Sequence, residues 1–458
     1  MNLTIVAIAA PFLGAALGSL SPRRIIRLWM RLSFAAIAVA LACATLPQLD
    51  RLAALFVVII SIVSFLATLF SCSIFPKIEL PDAHWASRPA YFMLLGAFWS
   101  SMLIVVYATS FGGIWIGISA TTLATTFLVG FSGGKTALEA AWKYLILCSF
   151  GIAIALLGIL LLGRAGLDGG LASAHALEWS TLAAHGRALP APLVKVALLL
   201  MMLGFATKAG LVPMHAWLPD AHSKAPASIS ALLSGLLVSC AIYAIIRVQS
   251  VAYGSIASTL NATLLVLGSL SVIVGALLML AQHDVKRFLS YSTVEHSGLV
   301  AIALGIHTPL AIFAALYHLV NHAFSKASAF LAIGAVQYAH RSTEIRQLRG
   351  LWREGRGKMF LASLVALAGL PPFGMFLSEF LIVIAAVQAR QWAVLTIALL
   401  ALALSFAALA RLAIDTESDG HERPDLRRSP ALALTAVGSA VLIALLCVVV
   451  PFTRILPQ

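Results

Sequence analysis

Charge is scarce in this sequence. Of 458 residues only 10% are charged while 61% are hydrophobic, and mean hydropathy is +1.00. A soluble domain carries about 25% charged and roughly 45–50% apolar residues, so soluble globular, disordered, collagenous and coiled-coil classes are all excluded. Cysteine is sparse as well. The five present (Cys43, Cys72, Cys148, Cys240 and Cys447) stand singly, which leaves no CxxC pair, disulfide framework or iron–sulfur ligand set. A Walker loop, a dinucleotide fingerprint and a haem-ligand pattern are also missing, so no cofactor is expected. The longest loop expected outside the membrane, 164–192, has no domain-sized content, and any large catalytic part is expected to belong to a partner.

What the chain has in abundance is apolar run. A hydrocarbon core of roughly 30 Å needs about 20 helical residues per crossing, and runs of that length recur at 2–20, 28–46, 52–75, 90–108, 111–132, 138–163, 193–222, 226–248, 260–282, 284–305, 309–335, 358–388, 392–411 and 431–453. The expectation is an all-α polytopic membrane protein with about fourteen spans. The net charge of +13 suggests nucleic acid until the basic residues are located. Most lie between the apolar runs, where they orient a membrane protein. With the N-terminus outside, the inside loops hold Arg23, Arg24, Arg27 and Arg31; Lys77 and Arg88; Lys286 and Arg287; six basic residues between Arg341 and Lys358; and Arg423, Arg427 and Arg428. The outside loops hold little. Both termini are therefore expected on the outer, periplasmic side of a cell's inner membrane. The first run lacks a basic n-region and is followed by arginines, so it reads as a span that stays.

An ionisable group at mid-bilayer costs about 2.5–3.5 kcal/mol, so each needs a reason. Lys208 ends an apolar run and is followed by Ala209-Gly210-Leu211-Val212-Pro213. Proline lacks an N–H and its ring opposes a continuous helix, which predicts a break within 213–222, the stretch that holds His215 and Asp220 as entry candidates. Irregular backbone at membrane depth is tolerated where protein covers it or where it lines a polar cavity. A desolvated lysine beside such a break is a proton-carrier candidate; the alternatives are a structural ion pair or snorkelling. A second break is expected at Ala368-Gly369-Leu370-Pro371-Pro372-Phe373-Gly374, followed by Glu379. The two break strings match in four of six positions and recur five spans apart, an odd offset that implies inverted repeats with discontinuous helices.

His318, His322 and Lys326 fall at i, i+4 and i+8, one helical face, giving a polar stripe about 12 Å long. Histidines so spaced can ligate a metal, but a lysine one turn on opposes a cation, and a proton relay fits better. Structural hydrogen bonding is the alternative. No metal is expected. Glu295 and His296 lie in mid-span; Glu295 either pairs with a relay lysine or takes protons itself, and His296 is a gating or entry candidate. Lys143 lies nearer an inner membrane end, where it either joins the relay or snorkels. Lys286 and Arg287 read as orientation anchors, with Lys286 a gating candidate.

The string Lys208 to Pro226, the block His283 to Ser292 and His318-x3-His322-x3-Lys326 resemble the antiporter-like membrane subunits of respiratory complex I, multisubunit Na+/H+ antiporters and energy-converting hydrogenases. Ala140 to Ser149 and Ser292 to His296 look most like the hydrogenase-4 component F type. The resemblance implies a fourteen-helix core with three N-terminal spans (1–89), two inverted five-helix units (90–258 and 259–412) and a C-terminal span (413–458). It also implies that Lys208 and Glu379 are the charged residues at the two breaks and that His318, His322 and Lys326 are the linking relay. Two departures stand out. The family usually places a glutamate where this chain has Ser119, and a further lysine of complex I relatives is replaced by Ser239.

The function expected is a proton-translocating subunit of a hydrogenase-like or complex I-like redox complex. Its partners would be other membrane subunits and a peripheral redox module, with no nucleic acid. Two readings stay open beside it: a cation/proton antiporter or inorganic-carbon uptake component, and a non-pumping scaffold whose basic loop 341–358 docks an acidic surface.

Overall fold

Helix boundaries follow the local signals of the chain. The structure, a computed structural model, describes residues 3–20, 23–74 and 87–417. Among them the chain is helical, with two isolated bridges and no strand. In chain order the helices are α1 Leu3–Leu20, α2 Arg24–Thr45, α3 Arg51–Ile74, α4 Arg88–Tyr107, α5 Phe111–Val129, α6 Gly134–Asp168, the short α7 Trp179–His185 and α8 Ala191–Lys208. There follow α9 Trp217–Lys224, α10 Ala227–Leu232, a π-turn Leu233–Leu237 that runs into α11 Val238–Val251, then α12 Gly254–Leu280 and α13 Val285–Ile306. The last are α14 Pro309–His340, α15 Gly355–Leu367, α16 Gly374–Gln388 and α17 Trp392–Glu417. The closely spaced pairs 90–108/111–132 and 260–282/284–305 are separate helices because a cap starts each second member. The Ser110 hydroxyl accepts from the Gly113 N–H, and the Asp284 carboxylate from the Arg287 N–H. Both satisfy an orphan donor of a first turn.

Eleven of the described helices are long and apolar enough to cross a membrane, so this is a polytopic membrane protein, as expected. Two of the expected spans fall short of that criterion for different reasons. α13 has the length, but Glu295, His296 and several serines dilute its apolar content. The 358–388 run is split into α15 and α16, each too short alone. The expected span 431–453, with Arg423, Arg427 and Arg428, and the loop residue Lys77 lie outside the described residues. Lipid-facing side chains such as Leu123, Phe150 and Leu160 are exposed on α5 and α6, more contiguous apolar surface than a soluble monomer tolerates.

The centre belongs to two spans. Within α10–α11 and within α14, 94% of the apolar window is buried, against 22% at α2 and 33% at α17. α14 packs on α3, α10, α13, α15 and α16. Helix interiors normally exclude polar groups, yet α13 and α14 carry the ionisable cluster; their position at the centre shields it from lipid.

Both predicted breaks are present. After α8 the chain turns through Gly210, whose φ of 70° favours glycine, and a Cβ there would run into Leu218 Cδ1. The second break turns through Gly369 at φ 61°. Each break contains a cis X–Pro bond, Val212-Pro213 and Pro371-Pro372. Backbone at membrane depth has no water to bond, so every donor needs a protein acceptor. At the first break the Ala209, Gly210 and Leu211 N–H groups donate back to Phe205, Thr207 and Ala206 carbonyls. The Val212 N–H donates to Ser271 Oγ on α12 at 2.9 Å, and Trp217 Nε1 donates to the Thr207 carbonyl at 2.8 Å. Ser271→Ala therefore strands a buried donor. Its expected cost is about 1–3 kcal/mol, read as a lowered unfolding midpoint in detergent, while Ser271→Thr retains most of the stability.

Candidate functional site

Lys208 is the last residue of α8 and is 1% exposed. A cation at a helix C-terminus meets the negative end of the dipole, but it still needs acceptors for its protons. Two hydroxyls supply them. The Nζ donates to Thr122 Oγ1 on α5 at 2.8 Å and to the Tyr144 hydroxyl on α6 at 2.5 Å. Tyr144 in turn shares a 2.6 Å hydrogen bond with Thr125 Oγ1. The ammonium also lies 4.6 Å from the Tyr144 ring centroid and 5.9 Å from that of Trp217, within cation–π range. Among the described residues no carboxylate pairs with it. Ser119, three residues before Thr122, makes no hydrogen bond through its buried Oγ, and Ser239 bonds only its own helix at the Gly235 carbonyl. Glu295 is instead in the second cluster.

That cluster is built by α13, α14 and α16. The i, i+4, i+8 spacing places His318, His322 and Lys326 on one buried face of α14, as the periodicity predicts. His296 from α13 lies across from them, with its ring centroid 5.2 Å from that of His318 and 5.5 Å from that of His322. Glu295 Oε2 is 3.5 Å from His296 Nδ1, and Lys326 is the cation within its electrostatic reach. Lys326 Nζ donates to the Leu289 carbonyl at 3.1 Å. His318 Nδ1 is 3.0 Å from Ser378 Oγ on α16, one residue before Glu379. The Glu379 carboxylate lies against Gly369 at the second break and within electrostatic reach of Glu295. Both nitrogens of His296 and Nε2 of His318 and His322 make no hydrogen bond to protein, and imidazole is the side chain that exchanges protons near neutral pH. Among the described residues no group of three or more His, Cys, Asp or Glu is arranged to hold a metal ion.

Between Lys208 and this cluster stands His222 on α9. It is fully buried, stacked between Trp217 and Phe330 at 6.4 and 5.4 Å, with neither nitrogen bonded. Lys286, Lys326 and His322 lie within its electrostatic reach. Sequence reasoning missed His222, Tyr144 and Thr122. For His222 the signal is its place five residues after Trp217 in the break string. The two hydroxyls carry no charge and give no comparable signal.

The remaining predicted residues divide. Lys286 is buried, with its Nζ 2.5 Å from the Ala225 carbonyl, so it faces the interior rather than anchoring at the surface. Lys143 stands apart from the row. It is half-exposed on α6, 2.5 Å from Glu139 and 3.8 Å from Asp220. Asp220 is also bonded to Arg287 Nη1 at 2.6 Å, and His215 is half-buried with an unbonded Nδ1. Glu139, Lys143, Asp220 and Arg287 form one charged patch.

Residues 108–405 match the family described as NADH:quinone oxidoreductase/Mrp antiporter, TM. Over 342 residues the chain is 36% identical to the hydrogenase-4 component F homolog of Methylacidiphilum infernorum, covering 73% of this chain and 71% of that protein. It is 29% identical over 357 residues to a Na(+)/H(+) antiporter subunit of Alkalihalophilus pseudofirmus, covering 76% of this chain and 69% of that protein. The fold is similar to a chain of an archaeal membrane-bound sulfane sulfur reductase, with TM-score 0.86 at 24% identity over 99% of this chain and 95% of that one.

The hydroxyl pair gives a direct test. Removing one acceptor from a buried ammonium is destabilising, whereas replacing the charge itself by an apolar group of similar volume is neutral or favourable. Tyr144→Phe should lower stability by about 1–3 kcal/mol. The double substitution Tyr144→Phe with Lys208→Met should recover most of it, as measured in a thermal-unfolding double-mutant cycle.

Proposed function

The chain belongs to the NADH:quinone oxidoreductase/Mrp antiporter transmembrane family, and from that membership we propose that it is the proton-translocating subunit of a hydrogenase-like or complex I-like membrane complex. The observation that carries this reading is the row of bases and acids from Lys208 through His222 to Lys326, His322, His296, Glu295, His318 and Glu379, all buried except the partly exposed Glu379. Structural ion pairing alone would leave these side chains matched; here most of the imidazole nitrogens are unbonded. The two breaks, with Lys208 before one and Glu379 after the other, support two inverted units at about 90–258 and 259–412. Related proteins occur in complexes with other membrane subunits, and this chain, with no nucleotide or redox motif among its residues, takes its driving force from such a partner. Both termini are assigned to the outer side on the distribution of Lys and Arg.

Within this scheme Lys208 holds a proton against two hydroxyls, and His222 is the step between its region and the histidine cluster. Glu295 balances Lys326, and Glu379 receives or releases the proton at the second break. Moving one proton through about 100 mV is worth roughly 2.3 kcal/mol, comparable to the free energy of one or two strong hydrogen bonds to a charged group. Rearrangement of a few contacts of the Lys208 kind is therefore sufficient to exchange energy with a gradient.

The lack of a carboxylate at Lys208 favours a second reading, gradient-driven cation/proton exchange without a redox partner. One experiment separates the two. In inverted membrane vesicles holding the native complex, Lys208→Met, His222→Phe and Glu379→Gln should each reduce redox-driven proton uptake to the level of vesicles without the complex, with assembly intact. Unchanged uptake in Lys208→Met or Glu379→Gln overturns the relay. Proton exchange that follows an imposed cation gradient and ignores the redox donor moves the function to the second reading.

A further inference from the structure

Arg31 is the one membrane-depth arginine of α2 whose charge the fold leaves unmatched among the described residues. It lies seven residues, about 10 Å, into the helix. Its guanidinium carbon sits 3.6 Å from the centroid of the Phe92 ring on α4, and its stem runs over Gly18 of α1. Stacking fixes the plane of the fork but accepts none of its five protons. The buried Nε makes no hydrogen bond, and no described carboxylate pairs with the group. Arg27, one turn nearer the helix start, adds a second positive charge within electrostatic reach. A cation so placed attracts an anion that can reach membrane depth.

The guanidinium lines a shallow cleft between α1, α2, α3 and α4. Its wall is mainly apolar, with Pro11, Leu95, Phe92 and Trp99 among the lining residues and Thr68 the one hydroxyl. Trp99 is 2% exposed and its indole N–H has no partner. The lining is thus amphipathic: a fork of donors near the helix end and apolar wall beyond it. An inorganic anion would leave that wall unused. Basic pockets between membrane helices bind anionic lipid headgroups, and Trp99, half-way along α4, lies deeper than the arginine, at the level of acyl chains.

We propose that this cleft binds an anionic phospholipid, with Arg31 as the phosphate ligand and the apolar wall, Trp99 included, in contact with the upper part of an acyl chain. The site lies on the N-terminal helices, apart from the buried row, and is independent of how the chain uses protons.

The test is native mass spectrometry of the full chain, purified in mild detergent and stripped of lipid, then titrated with phosphatidylglycerol or phosphatidylcholine. Wild type should retain one phosphatidylglycerol and release phosphatidylcholine. Arg31→Gln should weaken that retention about tenfold, as expected for loss of a charge-assisted hydrogen bond. Trp99→Phe should weaken it less, and millimolar inorganic phosphate should not displace the lipid. Should Arg31→Gln fail to yield monodisperse protein, Arg31→Lys, which keeps the charge and loses the fork, should still show a clear loss. Equal retention of the two lipids, or retention unaffected by the Arg31 substitution, overturns the proposal. Displacement by inorganic phosphate overturns it in favour of a free-phosphate site, and retention of a co-purified protein at the cleft overturns it in favour of a partner's carboxylate.

Discussion

The ammonium of Lys208 is held where a membrane helix stops, by hydroxyls from two other helices. Much of the first half of the molecule is arranged around that contact. Thr122 fixes the rotation of α5, Tyr144 that of α6, and Trp217 caps the break that follows the lysine while packing on the Tyr144 ring at 5.0 Å. An uncompensated charge in a low-dielectric interior costs several kcal/mol, more than most single packing defects. The helices therefore have little freedom to settle elsewhere. A lysine that could reach water by snorkelling would impose no such order.

The two ends of the buried row solve the same problem with different chemistry. At Lys208 the partners are neutral dipoles that both donate and accept. Around Lys326 and His296 there are acids, Glu295 and Glu379, and rings that exchange protons. With Ser119 and Ser239 as uncharged side chains, neither contributes a fixed charge to the first region, and in the proposed relay His222, between two aromatic rings, is the connection. In that proposed relay a charge displaced on one side would be felt on the other through a medium with little screening, with no continuous chain of hydrogen bonds required.

The helices were legible in the sequence because a membrane demands long apolar runs, and the caps Ser110 and Asp284 mark where one run becomes two. The breaks were legible because Gly-Leu-x-Pro is incompatible with a continuous helix. The stripe on α14 follows from spacing alone. What did not follow was partnership. Lys143 and Tyr144 are adjacent in sequence, yet about 100° of helical rotation sends the lysine to a surface ion pair and the tyrosine to Lys208. Similarly, Lys286 at the start of a span has the pattern of an anchor, and only the approach of the Ala225 carbonyl turns it inward. Periodicity assigns a face; it does not say which neighbour that face meets.

The hydrogen bond from the Val212 N–H to Ser271 joins the first broken helix to α12, far along the chain. The early helices thus cannot complete their own interruption. Had the chain arisen by joining two self-sufficient pieces, each would close its own break. Here the two pieces share one: the interruption of the first half takes an acceptor from the second, so about 1–3 kcal/mol of the stability of the first break is held on a helix outside it.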